Sequence, residues 1–284
     1  MPPMADMIRG APIAAAIEED VRRRAAKLSE KGRRVSLAAV RAHRDPASEL
    51  YLKRQQEAAE RLGLAYRVVD AKPDAEGLAS EIRRLAADPE TTGIIVQTPL
   101  PEGCDPDAIR RLVPPERDVE AVHPANLGRL LDRDPPIAPC TAAAVIECVK
   151  ASGIPVAGKH AVVVGRSRTV GRPAALLLVE MDATVTLCHS RTARLDDVMR
   201  SADVLVLAVG RAGLLKASAT KPGALVIDVG INRVQKDGKT VTVGDADPEI
   251  ATVAGAMTPV PGGVGPATVA LLWRNAVALA EAAS

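Results

Sequence analysis

The sequence predicts an α/β protein of two domains, the second of them Rossmann-like. Three observations predict it. Short apolar, β-branched runs alternate along the chain with longer segments of helical spacing, the pattern of βαβ units and largely parallel sheets. Residues 160–178, H-A-V-V-V-G-R-S-R-T-V-G-R-P-A-A-L-L-L, join one such run, through a loop carrying Gly165, Ser167 and Gly171, to a helix-forming segment opened by Pro173. The length of 284 residues, 47% hydrophobic and 25% charged, suits one large or two medium globular domains.

In chain order, residues 11–28 are rich in Ala, Ile, Glu and Arg with helical spacing, and 35–40 read as a short buried strand. Asp45 and Pro46 supply an N-cap and a first-turn proline for a helix that ends near Gly63. A second strand covers 66–71, a helix 75–87 and a third strand 93–98, which runs into Q-T-P-L-P. A helix over 106–112 precedes P-P-E-R-D-V-E-A-V-H-P-A-N-L-G-R-L, which has turn formers and little periodicity. After Pro139-Cys140-Thr141 a helix reaches about Ser152, and the strand and glycine loop of 160–178 follow. Further strands fall at 183–188, 204–209 and 225–230, and T-P-V-P-G-G-V-G-P precedes a last helix over 267–283. A boundary near Pro139 divides an N-terminal α/β unit, 1–139, from the Rossmann-like unit, 140–266. Ligands of such sheets collect outside the carboxyl ends of the strands, which selects the loops after Val40, Val96, Val164, Cys188, Val209 and Gly230.

Composition excludes several classes. A net charge of +2 gives no reason for a nucleic-acid or membrane partner. With no Phe, two Tyr and one Trp, the core is packed from Ala, Val, Leu and Ile, and few rings remain to stack on bases. Cys104, Cys140, Cys148 and Cys188 form no C-x-x-C pair, so neither a zinc site nor a disulfide framework is expected. The N-terminus lacks a signal-peptide layout and no apolar run spans a bilayer, which makes a cytoplasmic location the default.

A helix start carries unpaired N–H groups and partial positive charge, so an anion can settle on the 165–171 loop. By itself G-x-S-x-x-x-G fits a nucleotide site and a plain βα turn alike. The next strand is more informative. An NAD site usually ends it with an acid for the ribose 2′-hydroxyl, whereas here it runs into His189-Ser190-Arg191-Thr192. A hydroxyl and a guanidinium hold a 2′-phosphate that a carboxylate would repel, so the site reads as NADP rather than NAD. The plain alternative for Arg191 is a solvated surface charge. His123 and His189 lack partners at metal-ligand spacing and read as structural. Tyr51 and Gln55 share a helix face, either packed inward or turned to the cleft. Gln97, at the carboxyl end of a strand, is hard to explain as core because an amide there needs a partner.

Seven segments in order resemble the bifunctional methylenetetrahydrofolate dehydrogenase/methenyltetrahydrofolate cyclohydrolases, over nearly the whole chain. They are D-P-A-S-E-L-Y (45–51), G-I-I-V-Q-T-P-L-P (93–101), D-V-E-A-V-H-P-A-N-L-G-R-L (118–130), P-C-T (139–141), V-V-G-R-S-R-T-V-G-R-P (163–173), D-V-G-I-N-R (228–233) and T-P-V-P-G-G-V-G-P-A-T (258–268). The resemblance implies that 267–284 returns as a helix to the N-terminal folate-binding domain, and that the protein is a homodimer. It places NADP on Gly165, Arg166, Ser167, Val170, Gly171 and Pro173, with Ser190, Arg191 and Ile231 as further cofactor contacts. It places folate against Tyr51, Gln97, Glu120, Pro261, Gly262 and Gly263, with Tyr51, Gln55 and Gln97 at catalytic positions.

Two positions depart from the family pattern. The family's lysine four residues after the tyrosine is Gln55 here, and the Asp-Gly pair is Glu120-Ala121. Lys53 does not replace that lysine, since it points about 200° away around the helix, and the guanidinium of Arg54 is a poor proton shuttle. The expected enzyme is an NADP-dependent 5,10-methylenetetrahydrofolate dehydrogenase of one-carbon metabolism with weak or absent cyclohydrolase activity. The alternatives are the fully bifunctional enzyme, a noncatalytic folate- or nucleotide-binding homologue, and a dehydrogenase for another pterin.

Overall fold

The structure, a computed structural model, describes residues 4–132, 135–236 and 238–283. The chain opens with β1 (Asp6–Met7), α1 (Gly10–Glu30), β2 (Ser36–Arg41), α2 (Pro46–Leu62), β3 (Ala65–Asp70), α3 (Ala75–Ala87) and β4 (Gly93–Val96). Short helices α4 (Pro106–Arg110) and α5 (Pro124–Gly128) lead to α6 (Cys140–Ala151). Then come β5 (His160–Val164), α7 (Gly171–Val179), β6 (Thr184–Cys188), α8 (Leu195–Arg200), β7 (Val204–Leu207) and β8 (Leu225–Asp228). The hairpin β9 (Asn232–Lys236) and β10 (Lys239–Val243), the two-residue β11 (Ala256–Met257) and α9 (Val264–Ala282) complete the described strands and α-helices.

By its contacts the chain forms two units. One holds the residues up to Ala14 together with Thr141–Thr268; the other holds Ala15–Cys140 and the chain from Val269 on. The first residues therefore group with the second half of the chain, not with the rest of 1–139. The reason is β1, whose Asp6 and Met7 pair in parallel with Ala256 and Met257 of β11. Two residues are too few for any periodicity to announce.

The first unit is a parallel six-stranded sheet in the order β1-β11-β8-β7-β5-β6. Its strands β5, β7 and β8 read as continuous apolar runs because both faces are covered. Val162, Val164, Leu205, Leu207 and Val226 pack with Leu215, Met199 and Ile250 in a core without aromatic rings. The strands predicted to reach Val209 and Gly230 stop at Leu207 and Asp228. The last two residues of each turn out into the loops at the carboxyl edge.

The other unit is a parallel three-stranded sheet, β3-β2-β4, with Ala38, Val40, Ile94 and Val96 in its core. Helix α3 shows how local sequence builds it. Asp74 caps the helix by accepting from the Gly77 N–H (2.6 Å), and Leu78, Ile82 and Leu85 fall on one buried face. Each such leucine or isoleucine contributes about 1.5–3 kcal/mol when fully buried. Helix α2 starts as expected, with the Ser48 N–H donating to Asp45 Oδ1 (3.1 Å). It closes with the Leu64 N–H on the Ala59 carbonyl (3.0 Å). The last helix does return here: Asn275 Nδ2 donates to the carbonyls of Val119 and Ala138 (both 2.9 Å), and Glu281 accepts from Arg24 of α1 (2.6 Å).

Candidate active site

In the sheet of six, the loop between β5 and α7 is shaped by backbone contact. Gly165 has φ +122°, and a Cβ at Gly171 would lie 1.9 Å from the Gly165 carbonyl oxygen. That approach admits no side chain. Ser167 Oγ accepts from the N–H groups of Val170 (3.1 Å) and Gly171 (3.3 Å), which ties the loop to the first turn of α7. Arg166 and Ser167 are exposed, Val170 is half-buried, and Pro173 is buried in the helix.

After β6 the chain runs through His189, Ser190, Arg191 and Thr192, with no acid among them. Ser190 and Arg191 are exposed, and the Arg191 N–H donates to His189 Nδ1 (3.1 Å) while the His189 N–H donates to Thr192 Oγ1 (2.9 Å). His189 thus shapes the turn that presents Ser190 and Arg191. His123 has the same kind of task elsewhere, capping α5 by accepting from the Ala125 N–H (3.1 Å). Among the described residues no His, Cys, Asp and Glu cluster could hold a metal ion. Ile231 lies between β8 and β9 and is exposed. The Pro261-Gly262-Gly263 turn follows a cis Val260–Pro261 bond, and the Gly262 carbonyl accepts from the Gly10 N–H (2.8 Å).

In the three-stranded unit, α2, β3 and β4 bring together side chains distant in sequence. Gln55 is fully buried, and its Oε1 accepts from the Tyr66 hydroxyl (2.7 Å) and from Gln97 Nε2 (3.4 Å). Its Nε2 is buried and makes no hydrogen bond. The amide faces the phenol of Tyr51, one turn back, without closing a bond to it. Burial raises the Tyr51 phenol, the Cys140 thiol and the Glu120 carboxyl raise it further, and the Gln55 amide pulls it down. Glu120 is pushed up to about 7 by burial first and by the neighbouring Asp118 second, with Arg110 opposing. Lys53 lies on the exposed face beside Glu57 (3.9 Å), as the helix geometry requires, and Arg54 is exposed as well.

Tyr66 is the residue that sequence reasoning missed. It opens the strand predicted over 66–71, where nothing singled it out, and it meets Trp273 edge-on, with ring centroids 6.2 Å apart at 62°. Burial raises its phenol, so it stays a donor, and its proton goes to Gln55. The only signal for it was that a buried tyrosine hydroxyl needs a partner.

A glycine loop opening a helix on a parallel sheet, with hydroxyl and guanidinium groups at the next strand end, defines a dinucleotide-binding α/β protein. The comparisons agree. Residues 139–284 match the model for the NAD(P)-binding domain of tetrahydrofolate dehydrogenase/cyclohydrolase, and residues 8–120 the model for its catalytic domain. The bifunctional protein FolD of Acetivibrio thermocellus is 41% identical over 280 residues, covering 98% of this chain and 97% of that protein. The protein of the same name from Caldicellulosiruptor saccharolyticus is 45% identical over 265 residues, covering 91% and 94%. The crystal structure of the Trypanosoma brucei methylenetetrahydrofolate dehydrogenase-cyclohydrolase, complexed with NADP cofactor and inhibitor, matches with a TM-score of 0.93 at 36% identity over 99% of both chains. The chain is an enzyme of the tetrahydrofolate dehydrogenase/cyclohydrolase family.

Proposed function

We propose that the protein is an NADP-dependent 5,10-methylenetetrahydrofolate dehydrogenase whose methenyltetrahydrofolate cyclohydrolase activity is weak or absent. The first clause is supported by family membership, by the NADP complex of the trypanosomal relative and by the absence of a carboxylate after β6. NADP, when bound, accepts a hydride from the carbon between N5 and N10 of the folate. Gly165, Ser167 and Gly171 would hold the phosphates and Arg166, Ser190 and Arg191 the 2′-phosphate, while Tyr51, Gln97 and Glu120 would hold the folate. Loss of hydride leaves a cation and no proton to remove, so these groups need only bind and orient.

Hydrolysis of that cation differs, because water adds and protons must move. The observation that carries the second clause is Gln55: a buried amide, already accepting two hydrogen bonds, stands where the family has a lysine. An amide carries no proton between groups at neutral pH. The two bacterial relatives are named bifunctional, so hydrolysis is where this chain departs from them. Purified enzyme should reduce NADP with methylenetetrahydrofolate yet hydrolyse methenyltetrahydrofolate no faster than buffer, and Gln55→Lys should raise hydrolysis. Absence of NADP reduction would instead favour a noncatalytic homologue or another pterin.

One observation favours the fully bifunctional reading: Glu120, held near 7, sits where it could carry the proton. In that case hydrolysis is catalysed by the unaltered protein and is lost in Glu120→Gln. The homodimer that the resemblance implies and a cytoplasmic location complete the proposal, and the four free cysteines suit a reducing compartment.

A further inference from the structure

The unit built on the sheet of six carries two buried carboxylates that the reaction does not use. Both lie at the carboxyl edge of the strands, where ligands of such sheets collect. Asp245, fully buried after β10, accepts four hydrogen bonds. Its Oδ2 takes the N–H groups of Val209 (2.8 Å) and Gly210 (3.0 Å), and its Oδ1 takes the Arg211 N–H (2.7 Å) and Asn232 Nδ2 (3.0 Å). Asp228, at the end of β8, holds Asp245 in turn by accepting its N–H (3.0 Å), with those of Gly230 (2.9 Å) and Ala246 (2.8 Å).

The consequence falls on what this carboxylate presents. It ties the loop after β7 by three consecutive amides and the start of β9 by the Asn232 side chain. Two aliphatic residues emerge from the tied backbone, Val209 at 39% and Ile231 at 70% exposure. Ile231 is fixed on both sides, by Gly230 on Asp228 and by Asn232 on Asp245. Leaving a valine and an isoleucine in water on a loop held by so many bonds has a use when a flat, weakly polar ring lies against them.

We propose that Asp245 is a positioning residue for the cofactor: it holds Val209 and Ile231 as one aliphatic seat for the nicotinamide ring. This rests on the dinucleotide site proposed above and assigns the seat to the nicotinamide end alone. The adenosine end is held by the β5–α7 loop and the turn after β6, which Asp245 does not touch.

Binding of 2′,5′-ADP, the adenosine half of the cofactor with its 2′-phosphate, separates the two ends. In Asp245→Asn one oxygen becomes an NH2 group facing backbone donors. The KM for NADP should rise about tenfold to a hundredfold while 2′,5′-ADP affinity stays within about twofold. Asn232→Ala, which removes one of the four bonds, should give the same selective change at a smaller size. It carries the test should Asp245→Asn not fold. Equal weakening of both ligands, or no change in either, overturns the proposal and shows Asp245 to be a structural tie only. An unaltered protein that binds neither 2′,5′-ADP nor NADP overturns the dinucleotide reading itself.

Discussion

The β5–α7 loop and the α2 cluster are both candidate binding regions, and they are made of different material. The loop is backbone: glycines where no Cβ fits, and a serine returning hydrogen bonds to amides one turn on. The cluster is side chains from α2, β3, the end of β4 and the 118–120 turn, whose properties depend on one another: Tyr66 orients Gln55, and burial and then Asp118 set Glu120. Backbone sites tolerate almost no change of residue and are read one position at a time. Side-chain clusters admit substitutions that alter chemistry while leaving the fold alone, and this is where Gln55 and Glu120 occur.

The largest effect falls on the loop, at Gly171. A methyl there must displace the Gly165 carbonyl, 1.9 Å from the ideal Cβ position, and that atom belongs to the backbone of the loop itself. Gly171→Ala should cost about 1–3 kcal/mol of stability and raise the KM for NADP by about a hundredfold or more. A thermal melt and an NADP titration check it; a variant that binds NADP normally would show that the loop is not rigid backbone.

The next effect is electrostatic and belongs to the cluster. Glu120 goes from an ordinary 4.5 to about 7 on folding, mainly through burial, so the folded protein holds this proton to higher pH than the unfolded chain does. Its contribution to stability is fully present below about 4.5 and is lost as pH rises through about 7, a change on the order of 3 kcal/mol. Glu120→Gln removes the charge. Its denaturation midpoint should exceed that of the unaltered protein at pH 8, and the gap should close by pH 4.5. A gap independent of pH would remove the buried carboxyl from the account.

What could be read from the sequence follows the same division. The alternation of strands and helices, the Asp45 cap and the glycine loop are local patterns of backbone and periodicity, and the structure reproduces them to within a few residues. The pairing of β1 with β11 brings together residues some 250 positions apart, and no local signal marks it. The β9–β10 hairpin did carry one, the Asp237-Gly238 pair, but its flanks N-R-V-Q-K and K-T-V-T-V are too polar to read as core strands. In the cluster, Tyr51, Gln55 and Gln97 could be named because helix spacing and a strand end single them out. Tyr66 could not, since its hydroxyl takes its meaning from Gln55, eleven residues earlier on another element.

Tyr66 therefore gives a milder test of the cluster. Tyr66→Phe keeps the ring against Trp273 and removes the donor at 2.7 Å from Gln55 Oε1. It should cost about 1 kcal/mol of stability and free the amide to turn. The KM for folate should then rise severalfold while the KM for NADP stays unchanged. A rise in both would mean that the tyrosine supports the protein at large and not the Gln55 amide.

The smallest effect comes from a backbone demand inside the side-chain cluster. Ala121 is fully buried at φ +56°, a left-handed conformation in which its Cβ crowds the following carbonyl. Glycine, the residue that the resemblance leads one to expect here, adopts that conformation freely. Glycine also has more freedom to lose on folding, about 0.4–1 kcal/mol relative to alanine, so relief of strain, about 1–2 kcal/mol, is partly offset. Ala121→Gly should therefore stabilise the protein by about 0.5–1 kcal/mol, a rise of a few degrees or less in Tm. A fall in Tm would mean that contacts of the buried methyl outweigh the strain, and that the Glu120-Ala121 pair is packed as a unit around its longer carboxylate.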